Sequence, residues 1–177
     1  MKSMTIPLTT AIAIGLLASS AVGVAAQDET ADVESMRPAL VTGFLSWPED
    51  SQVEGYEETM QDGIRREHWV DTSNTAEMSD PRLSGALTID ATGERFDDLG
   101  TDLGWATVRI ENDGGFWEGT SVNTSDLDAE TREVAYYELV GGGAYEGLSA
   151  VVFQTEAPDD AWLWSGIIFP GDLPPDR

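Results

Sequence analysis

Cysteine is absent from these 177 residues, and lysine and histidine occur once each. Each shortage removes a class of chemistry. Without cysteine there is no thiol nucleophile, no disulfide and no lipid-modified cysteine behind a leader. The single lysine, Lys2, stands at the very start, so the body of the chain offers no Schiff-base lysine and no phosphate-binding P-loop. One histidine, His68, cannot build a multi-histidine zinc site, and no serine lies in a Gly-x-Ser-x-Gly elbow. Positive charge is scarce: 9 Lys plus Arg stand against 33 Asp plus Glu, a formal net charge of −24. That balance disfavours nucleic acid and anionic membranes as partners. No cofactor is expected.

Long apolar runs are missing too. Ala11 to Ala18 (AIAIGLLA) is too short to span a bilayer. Preceded by Met1-Lys2 and followed by the small residues Val24-Ala25-Ala26, it reads as a secretory signal over residues 1–26. The expected product is a secreted protein, extracellular or periplasmic, with no membrane anchor once the signal is removed. Lys2 leaves with that segment and no acid does, so the mature chain carries 8 Arg against 33 acids, a formal charge of −25. Residues 27–38 read as a flexible acidic leader, 39–170 as one domain and 171–177 as a tail.

What is present is β-like. Eight strands are expected: Ala39 to Trp47, Gly63 to Thr72, Leu83 to Ala91, Leu103 to Glu111, Phe116 to Asn123, Thr131 to Val140, Tyr145 to Thr155 and Ala161 to Phe169. Glu49 to Asp62, Ser73 to Pro81 and Gly93 to Asp102 read as loops, and Thr124 to Glu130 as one helical turn at most. Strands at this spacing without a long helical pattern mean a sandwich or a barrel. Asn112-Asp113-Gly114-Gly115 joins two alternating runs, the strongest short-range hairpin signal. With Asp113-Gly114 as the turn, Arg109 faces Glu118, Thr107 faces Thr120 and Ile110 faces Trp117. A turn shifted by one residue would oppose Glu111 with Glu118, a like-charge pair that costs stability.

Three glycines, Gly141 to Gly143, stand between the sixth and seventh runs, where the chain must turn sharply or let backbones approach closely. They do not form a dinucleotide fingerprint, since the spacing fails and no helix follows. Val140-Gly141-Gly142-Gly143-Ala144-Tyr145-Glu146-Gly147-Leu148-Ser149 resembles the Gly-Gly-x-Gly-aromatic-x-Gly signature of the allene oxide cyclase and dirigent-like barrels. SDPRLSGALTI (Ser79 to Ile89) and RIENDGGFWEG (Arg109 to Gly119) are similar to segments of uncharacterised secreted relatives of that barrel. The resemblance spans roughly Leu83 to Phe169. It implies a single antiparallel eight-stranded β-barrel, calycin or allene oxide cyclase-like, with a small apolar cavity. In characterised members that cavity orders the cyclisation or coupling of a hydrophobic substrate. No catalytic residue carries over with the motif.

The expected function is therefore binding of a small, largely apolar ligand inside the barrel. An isomerase or cyclase and a filled structural domain are the alternatives. Candidate ligand-binding residues are Arg109, Glu118, Trp105, His68 and Tyr145. Arg109 and Glu118 share a face with Trp105, and there they can orient a carboxylate or carbonyl. The opposite face carries Val108, Ile110 and Trp117, which favours an outward-facing ion pair instead. His68 alternates with Ile64, Arg66 and Val70, as a lone acid–base group or a packing residue. Trp162 and Trp164 share a face with Gly166 and Ile168, at a pocket mouth or in the core. Asp126, Asp128 and Glu130 alternate like calcium ligands but lack the EF-hand glycine and distal glutamate, so no metal site is assigned. Asn123-Thr124-Ser125 is a glycosylation sequon in a eukaryotic source.

Overall fold

The computed structural model describes residues 36–46, 53–127, 133–157 and 161–174. The expected signal segment and most of the expected leader, Trp47 and Pro48, Asp128 and Glu130, and the last three residues lie outside them. Nine strands follow one another: β1 Ala39–Ser46, β2 Glu54–Gln61, β3 Ile64–Met78, β4 Gly85–Phe96, β5 Thr101–Asn112, β6 Gly115–Asp126, β7 Glu133–Gly143, β8 Leu148–Ala157 and β9 Ala161–Pro170. They form one antiparallel sheet in the order β1-β9-β8-β7-β6-β5-β4-β3-β2, and a further β1–β3 pairing closes it into a ring. The result is barrel-like. Closure pairs both edges of the eight ring strands and leaves β2, outside the ring, with β3 as its one partner among the described strands.

Eight strands make the ring, as expected, but a ninth strand corrects the expected count. Glu54–Gln61, assigned to an acidic loop, pairs with the first half of β3. Gln61 faces Ile64 across Asp62-Gly63, both at positive φ (54° and 81°). This is the left-handed two-residue turn that Asp-Gly favours. Every residue of β2 is exposed, so no apolar alternation marked it. The strand β3 serves two partners. Its start pairs with β2, and Thr75 to Met78 pair with β1. Between them its register against β4 shifts from Asp71 to Asn74. Asp71, fully buried, accepts hydrogen bonds there from the Ser73 amide (2.8 Å) and hydroxyl (2.6 Å).

Other boundaries also move. The expected Ser73–Pro81 loop is strand as far as Met78, β4 runs on to Phe96, and Thr124 to Asp126 continue β6 rather than forming a helical turn. Tyr145 falls in the turn before β8. The hairpin register holds throughout: Arg109 pairs with Glu118, Ile110 with Trp117 and Thr107 with Thr120.

The interior is packed in staggered rows, and its two ends differ. At the end holding the β5–β6 and β7–β8 turns, Leu87, Ile110, Trp117, Leu139 and Leu148 are fully buried. Leu83, in a short 3-10 turn Pro81–Leu83, plugs the same end. The glycine corner belongs to this plug. A side chain on Gly141 would run into Tyr145, and Gly143 takes the left-handed φ of +68° that turns the chain into β8. Tyr145 stacks on Trp117, ring centroids 5.5 Å apart, and its hydroxyl donates to Asn112 Oδ1 (2.7 Å). Trp117 Nε1 donates to the Arg82 carbonyl (2.7 Å).

Candidate functional site

Toward the other end the ring is hollow. Registered neighbours around one row of inward positions are Glu67, Gly93, Gly104, Asn123, Ala135, Gln154, Trp164 and Gly43. The next row inward runs Trp69, Ala91, Ala106, Ser121, Tyr137, Val152, Gly166 and Val41. Across β4 to β7 these rows hold mainly glycine, alanine and serine, too short to reach the middle. Trp69 and Trp162 line the other side of the resulting cavity, of about 180 Å³, and Tyr137 borders it from β7. Eight-stranded rings of this kind have room for one small ligand when the inward residues are small. Leu45, Ile89 and Ala91 complete the cavity's apolar wall.

Polar groups converge on this space from one hydrogen-bonded chain. Gln154, 4% exposed, accepts at Oε1 from the Tyr137 hydroxyl (2.8 Å) and from Trp164 Nε1 (2.7 Å). An indole nitrogen can only donate, so this contact sets which way the Gln154 amide points. Its Nε2 is then left to donate to Glu133 Oε1 (3.1 Å). Burial raises the Glu133 carboxyl to about 7, with the Asp102 and Glu156 carboxylates adding to the shift. Burial, and then the nearby Glu133, also raise the Tyr137 phenol. Asp102 lines the cavity as well, and its Oδ1 is buried without a hydrogen-bond partner.

The arginines at this end bind acids, although Arg65 Nε is buried without a partner among the described residues. Arg65 and Arg95 both bind Asp97 (3.0 Å each) and Arg66 binds Glu94 (2.8 Å). Among the described residues no guanidinium pairs with Glu67, Asp102, Glu133 or Glu156. No group of three or more metal-ligating side chains occurs among the described residues either. The arrangement can enclose a compact apolar body while offering it a carboxyl poised near neutrality, which is suited to proton transfer or to meeting a positive charge.

The residues singled out from the sequence are elsewhere. Arg109, Glu118 and Trp105 lie together on the outer face, as the hydrophobicity of the opposite face favoured. Arg109 binds Glu118 and also Glu111 (3.0 Å), and its guanidinium sits 4.0 Å over the Phe116 ring. Trp105 is 42% exposed beside Leu103 and Val122, which are also exposed. His68 is on the outer face as well, with Nε2 2.9 Å from Asp90 Oδ1. Tyr145 is buried in the plugged end. None of the five lines the cavity. Of the paired tryptophans, Trp164 is core and Trp162 lines the cavity.

Glu133, Gln154, Tyr137 and Asp102 were not singled out. Yet Glu133 shares a face with Ala135, Tyr137 and Leu139, and Gln154 with Leu148, Ala150 and Val152. A polar residue at the end of an inward apolar stripe was the legible signal. Compared with protein-family models, curated proteins and solved structures, the chain matches none.

Proposed function

We propose that this is a secreted, acidic, allene oxide cyclase-like barrel that holds a small, largely apolar molecule in its hollow end. The cavity between Trp69, Tyr137 and Trp162 carries the reading. Dry apolar cavities of roughly 150 Å³ already bind benzene-sized molecules, and the inward rows are matched to that size. The glycine-corner resemblance supports the same fold and the same use of it, and the N-terminal apolar run supports secretion.

Indole and propylbenzene are suitable probes, followed by thermal stabilisation and by the indole N–H signals of Trp69 and Trp162. A filled variant supplies the control. A side chain at Gly93 would meet the Trp69 ring at ordinary contact distance, 3.7 Å, so Gly93→Val grows into the void. We expect saturable binding by the natural chain and at least tenfold weaker binding by Gly93→Val. Equal behaviour of the two, or no shift at either indole, would leave the filled structural domain as the better account.

A second reading, an isomerase or cyclase, draws on Glu133. A carboxyl held near 7 beside an apolar pocket suits acid–base work on a bound hydrophobic substrate. Turnover undiminished in Glu133→Gln would eliminate it.

A further inference from the structure

We propose that the ligand of this cavity carries a protonated amine on its apolar body, rather than being neutral or acidic. The inference rests on the cavity being a ligand site and goes on to name the ligand's chemistry.

The first observation is the sign of the charge inside. Asp102 and Glu133 both line the cavity, and Glu67 lines it from β3. Among the described residues the Asp102 Oδ1 is buried with no partner. Such an orphan acceptor is costly unless something supplies a donor. The cavity's own arginine, Arg95, binds Asp97 through Nε (3.0 Å) and makes no hydrogen bond to Asp102 Oδ1. The Gln154 amide donates only to Glu133 (3.1 Å) among the described residues. An ammonium brings three donors and a charge opposite to that of the wall.

The second observation is the aromatic wall. Trp69 and Trp162 border the same space, and a cation held against indole faces is attracted by their negative π-surfaces. No metal-ligating group of three forms among the described residues. Asp102 and Glu133 instead flank Ser125 on neighbouring strands, beside an apolar wall that suits a cation borne on an organic body. An organic acid is the worst fit, because its carboxylate would join Asp102 and Glu133 in a low-dielectric space.

Three probes of nearly equal shape separate the possibilities: 2-phenylethylamine, propylbenzene and 3-phenylpropanoate. Binding is read by calorimetry at pH 8 in the full mature chain. We expect the amine to bind at least tenfold more tightly than propylbenzene, and the acid to bind more weakly than either. In Glu133→Gln and Asp102→Asn the ratio of amine to propylbenzene affinity should fall toward one. Each substitution removes a charge and keeps the side-chain volume, so the fold is preserved, as far-ultraviolet circular dichroism will show. Equal binding of amine and propylbenzene by the natural chain overturns the amine inference and leaves the cavity reading standing. Binding of none of the three overturns both. An amine preference unchanged in both variants also overturns the inference, because the charge that selects the amine would then lie elsewhere.

Discussion

The two ends of the ring are built from the same strands with the same alternation, and they behave oppositely. At the plugged end most polar contacts are closed, although Asn74, level with Leu87, is buried with neither side-chain polar atom partnered among the described residues. Asp80 grips Arg82 through both oxygens (2.6 and 3.0 Å), and those hydrogen bonds hold its carboxyl below the usual range. Asn112 Nδ2 donates to the Ser84 carbonyl (2.6 Å), while its Oδ1 accepts from Tyr145 and from the Gly114 amide (2.9 Å). At the hollow end Glu133 is pushed the other way, up to about 7, and Asp102 keeps an unpartnered oxygen. One carboxylate strengthens the fold and the other costs it free energy. Buried groups that destabilise the resting fold are the ones with something left to give a ligand.

The largest test of this contrast is a pair of tryptophans. Trp117→Ala empties a fully buried site, breaks the hydrogen bond to Arg82 and unstacks Tyr145. It should lower the free energy of unfolding by about 3–5 kcal/mol. Trp69→Ala removes a half-buried ring that already borders a void, and should cost less than half as much. Urea unfolding of both variants decides. Equal losses would mean that the two ends are packed alike.

Glu133 sharpens the contrast through pH. Its native pKa lies above that of the unfolded chain, from an ordinary 4.5 to about 7, so the native state holds the proton more tightly. Stability from this group is complete below about 4.5 and is lost as pH rises through 7, by on the order of 3 kcal/mol. Glu133→Gln cannot lose it. The variant and the natural chain should unfold alike near pH 4.5, and the variant should be the more stable at pH 8. Curves that stay parallel across that range would place the Glu133 carboxyl in ordinary solvent.

The smallest effect belongs to the outer face. Arg109→Ala removes contacts to Glu111, Glu118 and Phe116, all on the surface, where ion pairs contribute little. The urea midpoint should move no more than repeat curves differ. A shift comparable to that of Trp69→Ala would show that the outer ladder of charges holds the ring together.

Much of the ring was legible along the chain. Alternation marked which residues share a face on β4, β5, β6 and β9. Asp113-Gly114 and the cost of opposing Glu111 with Glu118 set the β5–β6 register residue by residue. Trp164 was legible as core from its stripe with Gly166 and Ile168. The strand β2 was not legible by alternation, because neither of its faces is buried and nothing selects an apolar side. Asp62-Gly63 was its only mark.

The candidate site was not legible as a site, although its parts were in plain view. Local pattern says that Glu133 faces inward with Ala135 and Tyr137. It does not say that Gly93, Ala91, Gly104 and Ala106, from other strands, lie level with it and leave the space empty. A filled or hollow interior depends on which rows of side chains meet across the ring, and that follows from the stagger of eight strands closed by β1 on β3. The chain by itself determined the strands, their inward faces and the acidity of the whole. The apolar stripe Val108, Ile110 and Trp117 already favoured Arg109 and Glu118 outside; closure alone decided that Asp102 and Glu133 share one cavity. The physical reason is distance in sequence: alternation acts over two residues, whereas these carboxyls are brought together only through the paired lengths of β5, β6 and β7.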